Sequence, residues 1–347
     1  NIERTYSGGS YIHGGILWVG GSAATSLVDN IDAVFTDNRA YTSNNSSYGS
    51  VLYVNTGKVG SINGTFTNNI ALSGSADAAG GVIYNASNID NISGIFKDNK
   101  AQSDGKLTFN KVYGGAIYAN DSIAKLSNAL FENNSAIGPK GKGGAIYLDG
   151  TTREPGKIEE IVNTSFKNNQ AVNTAHKTDL AEGGAIYNGT GTLTIKANEG
   201  GTSEFTGNTV KQFDGTITSN AIYMAKDARN VDSVLALEAT TGGQIIFNDG
   251  IDGDTDYSIT VTGDETGRVA FNNKISNASG IVSENVTLGL GATENGQADL
   301  ENVKLTLKSG TLDMQDDEIR TVKTGEFSST ADVKLNIDAD LKAGEAD

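Results

Sequence analysis

Phe131-Glu132-Asn133-Asn134-Ser135-Ala136, followed by Gly143-Gly144-Ala145-Ile146-Tyr147, is the stretch whose reading decides the fold. Both halves recur. Gly-Gly-Ala-Ile-Tyr stands intact at 114–118, 143–147 and 183–187, with variants at 14–18, 49–53, 80–84 and 219–223. Phe-x-x-Asn begins at Phe35, Phe66, Phe96, Phe131, Phe166 and Phe205, with an outlying, degenerate Phe-Asn-Asn-Lys at Phe271. The two motifs alternate strictly, and successive Phe positions from 35 to 205 lie 31, 30, 35, 35 and 39 residues apart. A period of this size marks a repeat architecture. Each unit holds short β-branched and aromatic runs bounded by Gly, Asn, Asp and Ser, with no apolar face of helical period.

The chain is therefore expected to be all-β, a parallel β-helix with one turn per 30–39-residue repeat. Like residues would then stack at about 4.8 Å. Leu17, Leu52, Ile83, Ile117, Ile146, Ile186 and Ile222 should form one core column and the Phe residues a second. Asn38, Asn69, Asn99, Asn134, Asn169 and Asn208 should form an asparagine ladder at a turn, since Asn tolerates left-handed φ and its amide can bond the next rung. The doubled Gly would bend the backbone into the next strand. Residues 1–223 are read as the regular repeats, and 224–347 as degenerate turns continuing the coil to its C-terminal edge.

Composition narrows the function. Of 347 residues, 26 are basic and 42 acidic, a net charge of -16, which argues against nucleic acid and against anionic lipid. There is no cysteine, hence no disulfide or thiolate metal site. No apolar run is long enough for a transmembrane helix. The chain opens at Asn1 without a signal-like segment and is read as a fragment of a longer precursor.

This pair of motifs resembles the repeats of the chlamydial polymorphic membrane proteins and related autotransporter passenger domains, over residues 14–223. The lack of cysteine points to the wider autotransporter-like group. The resemblance implies a right-handed parallel β-helix, display on the bacterial surface attached to the outer membrane, export through a C-terminal membrane barrel outside this chain, and adhesion or self-association. Partners would be a host-cell or bacterial surface protein or glycan, or a second copy.

Candidate sites are sparse. The stacked Tyr118, Tyr147 and Tyr187 neighbour the aliphatic core position, so strand alternation turns them to the opposite face, where an aromatic stripe could bind sugar or protein. Arg153, Glu154, His176 and Lys177 lie in the longest inserted segments, of which 149–157 should project furthest. Asp252, Asp254 and Asp256 have the alternating spacing that opens calcium loops, but position 12 is Gly263 rather than Glu. Beyond Ca2+ no cofactor is expected. The repeated strand positions hold Gly, Ala, Ile, Tyr, Phe and Asn, not the clustered carboxylates of a polysaccharide-cleaving β-helix. The chain is read as a non-enzyme, with a carbohydrate-binding or polysaccharide-cleaving β-helix as the alternative.

Overall fold

The computed structural model describes residues 3–6, 11–20, 26–105, 110–150, 156–175, 177–227, 229–294, 296–314 and 322–337. Among them there is no helix, and so none that could cross a membrane. Nearly all strand pairing is parallel and runs from one turn of the chain to the next, so the chain is a parallel β-helix.

Four sheets run along the first part of the coil. A long sheet is built from Leu27–Thr36, Lys58–Thr67, Asn88–Lys97 and Ile123–Glu132. From the next rung each of its strands is divided in two, as in Ile158–Val162 and Ser165–Lys167. An alanine sheet holds Arg39–Thr42, Ile70–Ser73, Lys100–Ser103, Ser135–Gly138 and Gln170–Asn173. Two-residue strands follow at Ile12–His13, Ser47–Tyr48, Ala78–Ala79, Val112–Tyr113 and Gly141–Lys142. The tyrosine sheet contains Leu17–Val19, Leu52–Val54, Ile83–Asn85, Ile117–Ala119, Ile146–Leu148, Ile186–Asn188 and Ile222–Met224.

In-register stacking makes each column chemically uniform. Phe66, Phe96, Phe131, Phe166 and Phe205 are buried, with neighbouring centroids 4.6 to 5.0 Å apart, and the stack continues through Phe247 to Phe271. The aliphatic column is buried from Leu52 to Ile222, while Leu17 at its end is half-exposed. Ala40, Ala71, Ala101, Ala136 and Ala171 are fully buried in the narrow limb of the cross-section, which explains the alanine two places after the ladder Asn in all but the last rung, where Val210 follows Asn208.

The asparagine ladder forms as expected, with one difference. The left-handed residue is the one before the ladder Asn: Asp37, Asn68, Asp98, Asn133 and Asn168 have φ of 54° to 57°, and Gly207 has 71°. The ladder Asn therefore serves as hydrogen-bond donor and acceptor. Asn134 Nδ2 donates to Asn169 Oδ1 at 2.9 Å and to the Phe96 carbonyl at 2.8 Å, while its Oδ1 accepts from Asn99. Asn208 ends the series by donating to Asp249 at 2.7 Å. The glycine pair divides its labour. Gly114 takes φ of +63°, and a Cβ on Gly115 would lie 2.0 Å from the Gly144 carbonyl oxygen of the next rung.

Three of the four sheets stop by residue 253. The alanine sheet ends in an antiparallel pair, Thr209–Lys211 with Ile217–Ser219, and the tyrosine sheet ends at Ile251–Gly253. Only the long sheet continues, as paired strands such as Tyr257–Gly263 and Arg268–Phe271, then Ala278–Glu284 and Val286–Leu290. Parallel pairing persists to Lys334–Asn336.

Candidate functional site

The outward faces of the two-residue strands and of the tyrosine sheet meet in a re-entrant corner, folded at the positive-φ glycine between them. One wall is Trp18, Tyr53, Tyr84, Tyr118, Tyr147, Tyr187 and Tyr223, in register from rung to rung. Strand alternation points these rings away from the core, as expected, yet Tyr118 and Tyr147 are buried. The cover comes from the residue just before each glycine turn: His13, Tyr48, Ala79, Tyr113, Lys142 and Glu182. The sequence pattern does not reveal this position, because it is not chemically uniform.

From His13 to Lys142, members of this second column pack on the tyrosine one rung further on. His13 lies 4.5 Å from Tyr53, Tyr48 lies 4.9 Å from Tyr84, and Tyr113 lies 4.0 Å from Tyr147 at 5°. The Lys142 ammonium sits 4.4 Å from the Tyr187 centroid and pairs with Glu182. The series breaks once. Ala79 has no ring to lay on Tyr118, and a cavity of about 200 Å³ opens there. Its lining includes Tyr48, Tyr113, Tyr118, Asp77, Lys111 and Asp149.

The polar groups of the cavity are held in place. Tyr118 donates its phenol to Asp149, which is itself buried. Asp77 accepts the backbone N–H of Lys111 at 2.7 Å, and the Lys111 side chain is exposed. Burial raises the Asp77 carboxyl above the usual range. Burial likewise pushes the Tyr113 phenol up to about 12 and the Tyr118 phenol further, so these phenols remain proton donors at neutral pH.

The other candidates fall elsewhere. Arg153, Glu154 and His176 lie outside the described residues, and Lys177 is exposed on the loop that Gln212 ties at Ala181. Asp149, placed by the sequence at the start of the most projecting segment, is instead buried as the acceptor for Tyr118. The three spaced aspartates do not converge. Asp252 occupies the tyrosine column, in register with Tyr223, and accepts from Gly253 N and Asn277 Nδ2. Asp254 repeats the part of Asp149 by accepting the Tyr223 phenol at 3.0 Å, and also takes Lys226 N. Asp256 stands in a left-handed turn. Among the described residues no three His, Cys, Asp or Glu side chains gather as a metal group.

Residues 128–149 and 163–189 match the Chlamydia polymorphic membrane protein (Chlamydia_PMP) repeat. The chain is 29% identical over 236 residues to the "Probable autotransporter YfaL" of Escherichia coli (strain K12), covering 61% of this chain and 17% of that protein. It is 32% identical over 155 residues to the "Probable outer membrane protein pmp8" of Chlamydia pneumoniae, covering 37% of this chain and 16% of that protein. It thus spans about a sixth of the length of these curated relatives. No solved structure matches.

Proposed function

We propose that this chain, a surface-exposed, outer-membrane-associated passenger of the autotransporter type with polymorphic-membrane-protein-like repeats, is a non-enzymatic adhesin or self-association module. The observation that carries the reading is where the ordered chemistry lies. Asparagine, phenylalanine and tyrosine ladders hold the coil together up to residue 223, while the segments between the motifs and the corner column vary from rung to rung. Export would use a C-terminal barrel outside this chain. A rigid scaffold that presents variable loops and one aromatic corner suits recognition, because binding then costs little ordering of the protein.

The test is display of the chain on the surface of a non-adherent bacterium, scored for aggregation and for attachment to host cells and glycan arrays. Displaying cells should attach or aggregate more than cells carrying an empty vector. Deleting 150–156 and replacing 173–179 with Gly-Ser measures the share of the loops that hold Arg153, Glu154, His176 and Lys177. Cells that stay dispersed and unattached, while the purified chain depolymerises a polysaccharide, would overturn the reading in favour of a cleaving enzyme.

A further inference from the structure

We infer that the gap at Ala79 is a binding site for one neutral pyranose residue of a glycan. The site is the space of a missing ring. Ala79 pairs with Tyr48 on one side and with Tyr113 on the other, so the two phenols stand two rungs apart, about 9.6 Å at the usual strand spacing. A six-membered ring placed midway lies about 4.8 Å from each wall, which lets the axial C–H groups of a pyranose chair reach van der Waals contact with the phenol faces. The Tyr48 ring is turned 46° from the Tyr84 plane, whereas most of its neighbours in the corner lie within about 15° of one another. One of the two walls of the gap thus departs from the regular stack.

Size and polarity choose the ligand. At about 200 Å³ the cavity is smaller than the ~300–1,000 Å³ of pockets that bury a drug-sized molecule, so it takes one ring and not a chain. An aromatic side chain would meet carboxyl groups at the rim and base. A sugar ring offers apolar C–H faces to Tyr48 and Tyr113 and hydroxyls to Asp77, Asp149 and the Lys111 ammonium. Two carboxyl groups against one ammonium disfavour an anionic sugar. Elsewhere the same position holds His13, Tyr48, Tyr113, Lys142 or Glu182, so Ala79 is the one small side chain in the column.

The inference depends on the adhesive reading only for the source of the glycan, a cell surface. The purified chain is titrated by saturation-transfer NMR with methyl β-D-glucopyranoside, methyl β-D-galactopyranoside, methyl α-D-mannopyranoside, glucuronic acid and tyrosinamide. At least one neutral glycoside should bind in the millimolar range, as a lone ring in an open pocket does, and glucuronic acid more weakly. Ala79→Tyr completes the stack, so it should keep or raise the melting temperature while weakening glycoside binding at least tenfold. Should that variant not fold, Lys111→Ala at an exposed position should weaken binding severalfold with no change in melting temperature. Binding of tyrosinamide without any glycoside overturns the sugar assignment, and so does glycoside binding that survives both substitutions. Adhesion of displaying cells separates the two readings. Adhesion unchanged by Ala79→Tyr removes the pocket from the adhesive contact and leaves the adhesin standing. Sugar binding by a chain whose displaying cells never adhere does the reverse.

Discussion

The coil up to residue 253 and the coil after it share one sheet and differ in everything that surrounds it. Both stack aliphatic and aromatic residues at the long sheet, so Phe205, Phe247 and Phe271 pass from one region to the other without a break. Only the first region has corners: the asparagine turn, the glycine pair and the roofed tyrosines. In the second, two strands per rung close the cross-section, as in Ala278–Glu284 with Val286–Leu290. The difference separates two jobs. The strands supply a core at whatever rung length, while the corners widen the cross-section and create the only roofed aromatic surface among the described residues.

The largest effect should come from the shared core. Phe131→Ala removes a fully buried ring between Phe96 and Phe166 and should cost about 3–5 kcal/mol. Phe327 lies in the last described rungs and is 49% exposed, so Phe327→Ala should stay within about 0.5 kcal/mol. Urea unfolding of both variants checks this. Equal losses would mean that the coil after residue 253 is packed as tightly as the coil before it.

A smaller effect should distinguish the corners. Asn134→Ala leaves Asn99 N and Nδ2 without the Oδ1 they share and removes one of the two donors to Asn169 Oδ1, both residues being buried, at about 2–3 kcal/mol. Asn272 makes a similar amide contact, 2.8 Å to Asn248, but on a partly exposed face, so Asn272→Ala should cost about 1 kcal/mol or less. If the two losses match, the ladder adds nothing beyond one ordinary hydrogen bond.

The same contrast explains what the sequence made legible. Gly-Gly-Ala-Ile-Tyr and Phe-x-x-Asn are corner motifs, in which a positive φ, a close backbone approach or a buried amide admits few residue types. They recur visibly wherever corners exist, and the core columns, the ladder and the coil follow from them. Beyond Ile251 the corners are gone, and strands such as Leu300–Leu307 tolerate many apolar residues, so the repeat fades although pairing continues. The tyrosine stripe was readable, but its roof was not. His13, Tyr48, Ala79, Tyr113 and Lys142 share a position without sharing a chemistry, and only the register reveals that Ala79 is a gap. Asp149 and Asp254 looked like parts of a loop and a calcium motif. They are equivalent acceptors for phenols one rung back.

The subtlest expected effect lies in how the two regions respond to acid. Asp249 closes the asparagine ladder from a buried position, accepting from Gly207 N, Asn208 N, Asn208 Nδ2 and Ser219 Oγ. Burial nevertheless holds its carboxyl above the usual range, because those donors offset the desolvation only in part. A raised folded pKa means that the folded chain binds this proton more tightly than the unfolded chain does. The resulting stabilisation is complete below the unfolded value, about 3.9, and is lost as pH rises through the folded value. Asp264, on a turn after residue 253, is the opposite case. Thr266, Thr241 and Gly267 donate to it and hold it at about 2, so its stabilisation is present at neutral pH and fades as pH falls from about 3.9 towards 2. Asp249→Asn keeps an acceptor for Asn208 and abolishes the titration. Its melting temperature relative to the parent should therefore rise between pH 4 and pH 7, whereas that of Asp264→Asn should fall from pH 2 to pH 5. Curves for Asp249→Asn that run parallel to the parent across that range would show that the ladder terminus carries its charge without penalty, and the ladder would then end in aspartate for its hydrogen bonds alone.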